Sequence, residues 1–367
     1  MKRRRVTAVI VLSVVALLVS ACGGGQVWAP PSGASASSGG STLGSASGSS
    51  GPAGSVAPSS GTVTKLTVGL GYIPNVQFAQ FYLAQQAGYY RAAGLDVTFL
   101  NAIDPDLITR VGQGNLDIGI ADGTSVIPAV GQGVPVRYVA TIYAQFPNIV
   151  YAKTSSGIRS AADLRGRKLG TPGKFGSSWI MLQALLASAG LKPSDVDIQL
   201  YPDFGQGTAL AQGAVDAATG FRNNEPVQLQ LSGTPAMILT VDQIVPLPGN
   251  GLITSPDTLA SKRAALKAFV AATLRAMSDI EADPQKGVAA AAAQVPELAK
   301  DPTLQLAVLQ ATIATWRSTY TDAHGAGSID RAAWATTVSF MAGLPEKPIT
   351  GTPPAVDQLI DDSLLAP

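Results

Sequence analysis

The chain is poor in the residues on which much enzyme chemistry depends. Its 367 residues include one cysteine and one histidine. A single Cys excludes a disulfide framework and any Cys-cluster metal site. A single His leaves little room for a His-dependent zinc site or an acid–base triad. Charge is scarce as well: Asp, Glu, Lys and Arg make up 13% of the chain, about half the usual quarter. Lys plus Arg number 25 against 24 for Asp plus Glu, a net charge of +1. No basic field is available to capture nucleic acid by counterion release, and no acidic run offers the opposite. A secreted enzyme would need a convergent nucleophile and base. The chain shows no G-x-S-x-G and no paired carboxylates at its strand tips, so that class ranks last.

What is present begins with Lys-Arg-Arg-Arg at residues 2–5 and an almost wholly apolar run at 6–19 (VTAVIVLSVVALLV). A basic start before an apolar run too short to span comfortably is the pattern of a secretory signal. The run ends Leu18-Val19-Ser20-Ala21-Cys22, which resembles a bacterial lipobox. Residues 1–21 are expected to be a lipoprotein signal peptide. Cys22 is expected to carry a lipid that anchors the chain to the membrane without spanning it. Residues 23–62 hold 11 Gly and 12 Ser in 40 positions, and no charged residue occurs between Arg5 and Lys65. Such a segment, 22–64, reads as a flexible linker with a root-mean-square reach of about 35 Å.

From Lys65 the texture changes to alternating strand and helix patterns. LTVGLGY reads as a strand and NVQFAQFYLAQQAGYYRAAG as one helix, with LDVTFL, LDIGIAD and VRYVATIYA as further strands. SVIPAVGQG reads as a helix with proline near its start. The alternation argues for βαβ units and an α/β fold. It then recurs about 100 residues later as RKLGTPG, SSWIMLQALLASAG, VDIQLYP, GQGTALAQG and VDAATGF. AAGLDVTFL matches SAGLKPSDVDIQLYP, and GQGNLDIGIADGTSVIP matches AQGAVDAATGFRNNEPV, which sets Asp117 opposite Asp216. Both aspartates fit turn or cap roles better than ligand contacts. After residue 256 the pattern is helical, with Trp316, Trp334 and Phe340 expected in a core, and His324 sits in a polar loop.

In open α/β sheets the ligand crevice lies beyond the carboxyl ends of the strands. That rule selects Tyr72, Asn75 and Phe78; Asp122 and Thr124; Tyr143; Phe175, Ser177, Ser178 and Trp179; Phe204; and Asn224 with Glu225. Rings and uncharged amides dominate these tips. They suit a flat heteroaromatic ligand, whose faces stack on rings and whose edges are read by amides. Lys174 and Arg222 keep an anionic ligand open. Tyr72 also fits a sheet cap, Trp179 a core residue, and Glu225 a carboxylate at a helix start.

The run LTVGLGYIPNVQFAQFYLAQQAGYYRAAGLDVTF, together with Asp163-Leu-Arg-Gly-Arg-Lys-Leu-Gly170, resembles the substrate-binding proteins of ABC importers in the NMT1/THI5-like group. The likeness covers about residues 65–260. It implies a two-lobed periplasmic-binding-protein-like fold (type II), with the ligand cleft between lobes and a helical C-terminal region. Lobe 1 would be 65–148 plus 250–367 and lobe 2 would be 149–249, with a hinge near 145–155 and 240–252. Residues 72–78, Phe175-Gly-Ser-Ser-Trp179 and Asn224-Glu225-Pro226-Val227 look most like riboflavin-binding members, and next like those that take thiamine pyrimidine precursors. In the pyrimidine binders an acidic residue pairs with the ring edge, a role the resemblance carries to Glu225. Sulfonate and nitrate relatives rank third. The pyrimidine synthases of the same fold use a Cys-rich motif and a sacrificial His, which this chain lacks. The expected protein is a lipid-anchored extracytoplasmic monomer that hands a small molecule to an ABC permease. It needs no catalytic residue, cofactor or metal.

Overall fold

The computed structural model describes residues 63–365 apart from Ile103. The expected signal peptide, Cys22 and nearly all of the linker lie outside the described residues. Ten strands follow in order: β1 (Thr64–Gly71), β2 (Leu95–Ala102), β3 (Ile118–Ala121), β4 (Arg137–Thr141), β5 (Asn148–Lys153), β6 (Lys168–Thr171), β7 (Asp197–Leu200), β8 (Ala217–Phe221), β9 (Ala236–Leu239) and β10 (Gly251–Thr254). They make two five-stranded sheets, ordered β2-β1-β3-β10-β4 and β7-β6-β8-β5-β9. The plan is the same in both. β1 runs parallel to β2 and β3, as β6 does to β7 and β8. The fourth strand is antiparallel to both of its neighbours in each sheet, β10 in the first and β5 in the second. That fourth strand is the first one the chain enters after each crossing between the sheets.

The sequence repeat is therefore a structural one, and Asp117 and Asp216 mark it. Asp117 accepts the Thr67 N–H of β1 at 2.9 Å and returns its own N–H to Thr67 O. Asp216 does the same with Lys168 of β6, at 2.9 Å and 2.8 Å. Each carboxylate satisfies a strand N–H that the ladder leaves open, which is why the residue type recurs at the same place.

The central strands are buried on both faces, as their continuous apolar runs require. The run read as one helix from Asn75 is instead a short turn at Val76–Phe78, a helix at Ala79–Gln86 and a further turn of helix at Tyr89–Ala92. The break falls at Gly88, whose φ of 75° a right-handed helix cannot contain. All but the last two residues of SVIPAVGQG lie in the helix Gly123–Gly131, which starts earlier than read because Asp122 caps it, so Pro128 is interior. Beyond β10 the helices Pro256–Ala282, Pro284–Gln294, Pro302–Ile313 and Arg331–Ala342 pack on the first sheet. Trp316 and Trp334 are buried there, whereas Phe340 is half-buried, against the apolar clusters of both lobes.

The chain crosses between the sheets at 142–147 and again at 240–250. The two crossings lie side by side, with the N–H groups of Ile142 and Tyr143 both donating to Asn250 O at 3.1 and 2.7 Å. Arg222 ties them further, donating to Gln145 Oε1 at 2.8 Å and to Asp242 Oδ2 at 2.6 Å.

Candidate functional site

A cleft opens between the lobes at the carboxyl ends of their parallel strands, the place where open α/β sheets bind small molecules. Tyr72, Gln77 and Ser125 wall it from the first lobe. The second lobe contributes Pro172, Phe175, Ser177, Ser178, Phe204, Gln206, Phe221, Asn224 and Glu225. No Lys or Arg is among these residues.

Two aromatic rings face each other across the cleft. Tyr72 and Phe204 meet edge to face with centroids 5.6 Å apart. Both adopt left-handed backbone, at φ 75° and 61°, and Lys347 is the only other non-glycine described residue to do so. Such conformations cost of order 1–3 kcal/mol each and persist where surrounding structure imposes them. Here one strained residue from each lobe sets a ring at the cleft.

Glu225 opens the helix Glu225–Leu231 and stands half-buried at the cleft wall. Its Oε2 accepts the Phe221 N–H at 2.8 Å. Burial raises its pKa above the usual carboxylate range, against the lowering effect of the backbone N–H groups of Phe221 and Glu225. Among the described residues no ion pair neutralises it. The same charge, after burial itself, raises the hydroxyl pKa values of Tyr72 and Tyr151. The Tyr151 hydroxyl is buried without a partner among the described residues. A carboxylate with no cationic partner retains the capacity to accept a further N–H or O–H.

The thirteen residues expected from the tips divide by location. Tyr72, Phe175, Ser177, Ser178, Phe204, Asn224 and Glu225 line the cleft. Phe78 and Tyr143 lie deeper, around a smaller cavity behind it. Thr124 and Trp179 line an adjoining compartment of about 1010 Å³ beyond Phe175. Asn75 spends its side chain on the turn after it, accepting the Gln77 N–H at 3.1 Å. Asp122 is buried as the cap of Gly123–Gly131, held by the N–H and hydroxyl of Ser125 at 3.1 and 2.9 Å and by the Thr124 hydroxyl. Trp179 is buried between the lobes, donating Nε1–H to Glu346 Oε2 at 2.6 Å, with Lys174 Nζ 5.8 Å from its ring. Arg222 is taken up by the two crossings, and His324 stacks on Tyr320 at the surface.

The expected set omits Gln77, Ser125 and Gln206, which stand on the same tips and face the cleft. It also omits Gln80, buried within a helix. A lone amide inside the apolar run FAQFYLA is the signal that could have pointed to it.

Comparisons with known proteins agree with this architecture. A family model described as NMT1/THI5 like matches residues 75–287. The riboflavin-binding protein RibY of Chloroflexus aurantiacus is 35% identical over 294 residues, covering 78% of this chain and 84% of that protein. A 4-amino-5-hydroxymethyl-2-methylpyrimidine phosphate synthase of Saccharomyces cerevisiae, THI13, is 29% identical over 168 residues, covering 45% of this chain and 48% of that protein. Among solved structures, the periplasmic aliphatic sulphonate binding protein SsuA of Escherichia coli superposes with a TM-score of 0.64 at 18% identity, over 81% of this chain and 92% of that one. The fold is thus the two-lobed, type II periplasmic-binding-protein fold, and the chain belongs to the NMT1/THI5-like family.

Proposed function

We propose that this protein is the solute-binding component of an ABC importer and closes its two lobes around riboflavin. The carrying observation is the cleft: facing rings, several amides and one half-buried, unneutralised carboxylate. Rings stack on the flat faces of a tricyclic ligand, while Glu225 and the amides take its N–H and O–H groups. The 35% identity to a riboflavin-binding protein supports the same reading. Hinge bending at 142–147 and 240–250 would bring both walls onto the ligand, and the closed form is what a permease would recognise.

A thiamine pyrimidine precursor is the second reading, favoured by Glu225 and by the synthase relatives, which this chain matches over about half their length. A sulfonate or nitrate fits less well, because the carboxylate would repel it and Arg222 is already engaged. The synthase activity of those relatives is set aside on chemistry. It would need the Cys-rich motif and sacrificial His described above, and the one His of this chain stacks on a surface tyrosine.

The test is a melting panel with riboflavin, flavin mononucleotide, the thiamine pyrimidine and taurine. A ligand at 100 times its dissociation constant stabilises by about 2.7 kcal/mol. Riboflavin is expected to give the largest rise, and no rise with either heterocycle would overturn the vitamin reading. Glu225→Gln separates the two vitamins. An aminopyrimidine would lose a charge-assisted hydrogen bond, about 10–150-fold in affinity, whereas riboflavin would lose less. The folded-state pKa of Glu225 lies above its unfolded value. Its charged form therefore opposes folding, and stability falls as pH rises through that window. The Gln variant is accordingly expected to melt higher than the parent at pH 7.

In the same proposal Cys22 carries the lipid, and residues 23–62 tether a monomeric body to the membrane. Cys22→Ser is expected to move the protein from the membrane fraction to the soluble one. Unchanged partition after that substitution would remove the anchor from the proposal.

A further inference from the structure

Behind Tyr72, Gln77 and Phe221, which wall the main cleft, lies a smaller cavity. Gln80, in the first turn of the helix Ala79–Gln86, lines it and is 1% exposed. Neither its amide NH₂ nor its carbonyl has a partner among the described residues. Asn250, on the returning crossing, lines the same cavity with its Oδ1 also unpartnered. An apolar residue at position 80 would avoid the cost of burying an unpaired amide, so the amide stands there at a cost to stability. No charged residue lines the cavity, so an ionic group is not what these amides await. A carboxamide presents a donor and an acceptor in one plane, spaced to pair with a cis-amide edge by two parallel hydrogen bonds, as Gln and Asn do with adenine.

We infer that Gln80, assisted by Asn250, reads the lactam or imide edge of a heteroaromatic ring whose end enters this cavity when the Tyr72 ring moves aside. The inference rests on the heteroaromatic reading above and goes beyond it by naming the ring edge that is selected. Riboflavin presents such an edge at its N3–H and the carbonyls on either side. A hydrocarbon ring of the same size does not.

The test uses flavin fluorescence quenching with riboflavin and 3-methylriboflavin, in which the N3 proton is replaced by a methyl group. Both are titrated into the wild-type protein and into Gln80→Met, which keeps the side-chain length and removes the amide. Gln80→Met is expected to weaken riboflavin at least tenfold. The wild type is expected to bind 3-methylriboflavin at least tenfold more weakly than riboflavin, and the substitution should change that weak binding little. The ligand-free variant is expected to melt no lower than the wild type, because an unpaired buried amide has been removed. Riboflavin affinity unchanged by Gln80→Met would overturn the inference and leave the function standing. Equal binding of the two flavins by the wild type would do the same, and needs no variant to fold. A lower melting temperature for the ligand-free variant would make Gln80 a structural residue. If the wild type binds neither flavin, the function reading fails and takes this inference with it.

Discussion

Trp334→Ala is expected to lower the free energy of unfolding by about 3–5 kcal/mol, the range for deleting a large buried aromatic. Trp334 is 1% exposed and packs edge to face on Tyr138 of β4, with centroids 4.9 Å apart. Tyr138 is pinned from its other side by β10. A Cβ at Gly251 would lie 2.1 Å from Tyr138 Cζ and 2.4 Å from Ala140 O, so only glycine fits there. The Tyr138 hydroxyl donates to Gly249 O at 3.2 Å, on the returning crossing. Removing the indole therefore empties one wall of a stack that runs from the helix Arg331–Ala342 through β4 to the point where the chain re-enters the first sheet. Urea unfolding of the ligand-free protein checks this. The midpoint should fall with little change in slope, and the melting temperature should drop by about 6–15 °C. Trp334→Phe should recover part of the loss. A cost under about 1 kcal/mol, the level of an ordinary surface change, would mean that this helix does not support the sheet.

Phe204→Ala is expected to reduce riboflavin affinity by about 30-fold, corresponding to the 2 kcal/mol or more typical of a central aromatic anchor. Tyr72→Ala should act similarly, because the two rings form a pair that spans the lobes. Glycine variants add a second measurement. Phe204 sits at φ 61° and Tyr72 at φ 75°, where an L side chain costs about 1–2 kcal/mol relative to glycine. Phe204→Gly should bind as weakly as Phe204→Ala, yet its ligand-free form should be more stable than the Ala variant by about 1 kcal/mol. Fluorescence titration and melting of the two variants separate the ring from the backbone. Wild-type affinity in both would remove the rings from the site. Identical melting of the Ala and Gly variants would mean that the backbone there stores no strain.

The strain at Tyr72 and Phe204 also shows where the sequence ceases to be readable. Tyr-Ile-Pro-Asn after a strand announces a turn, but nothing in those letters says that the tyrosine adopts left-handed backbone or that Phe204 meets it. Asp122, Thr124 and Asn75 stand at strand ends, as read, because strand ends and turn residues are local signals. Their side chains go to Ser125, Asp122 and Gln77 respectively. Whether a tip residue caps a helix or faces a ligand depends on backbone angles and on which neighbours lie within 3 Å. Trp179 shows the same limit from the other side: its partner, Glu346, is 167 residues away in the chain.

By itself the sequence determined the α/β class, the internal repeat and the tips that build the cleft. Hydrophobic period, glycine placement and turn chemistry act over a few residues and are written along the chain. Even the paired aspartates, 117 and 216, are visible as a repeated letter. Only the tertiary structure decided which side chains share the cleft, why Glu225 stays unneutralised and why Gln80 is buried without a partner. Burial, pKa and hydrogen-bond satisfaction depend on what the rest of the fold brings within a few ångströms, and two crossings of the chain between the sheets set those distances.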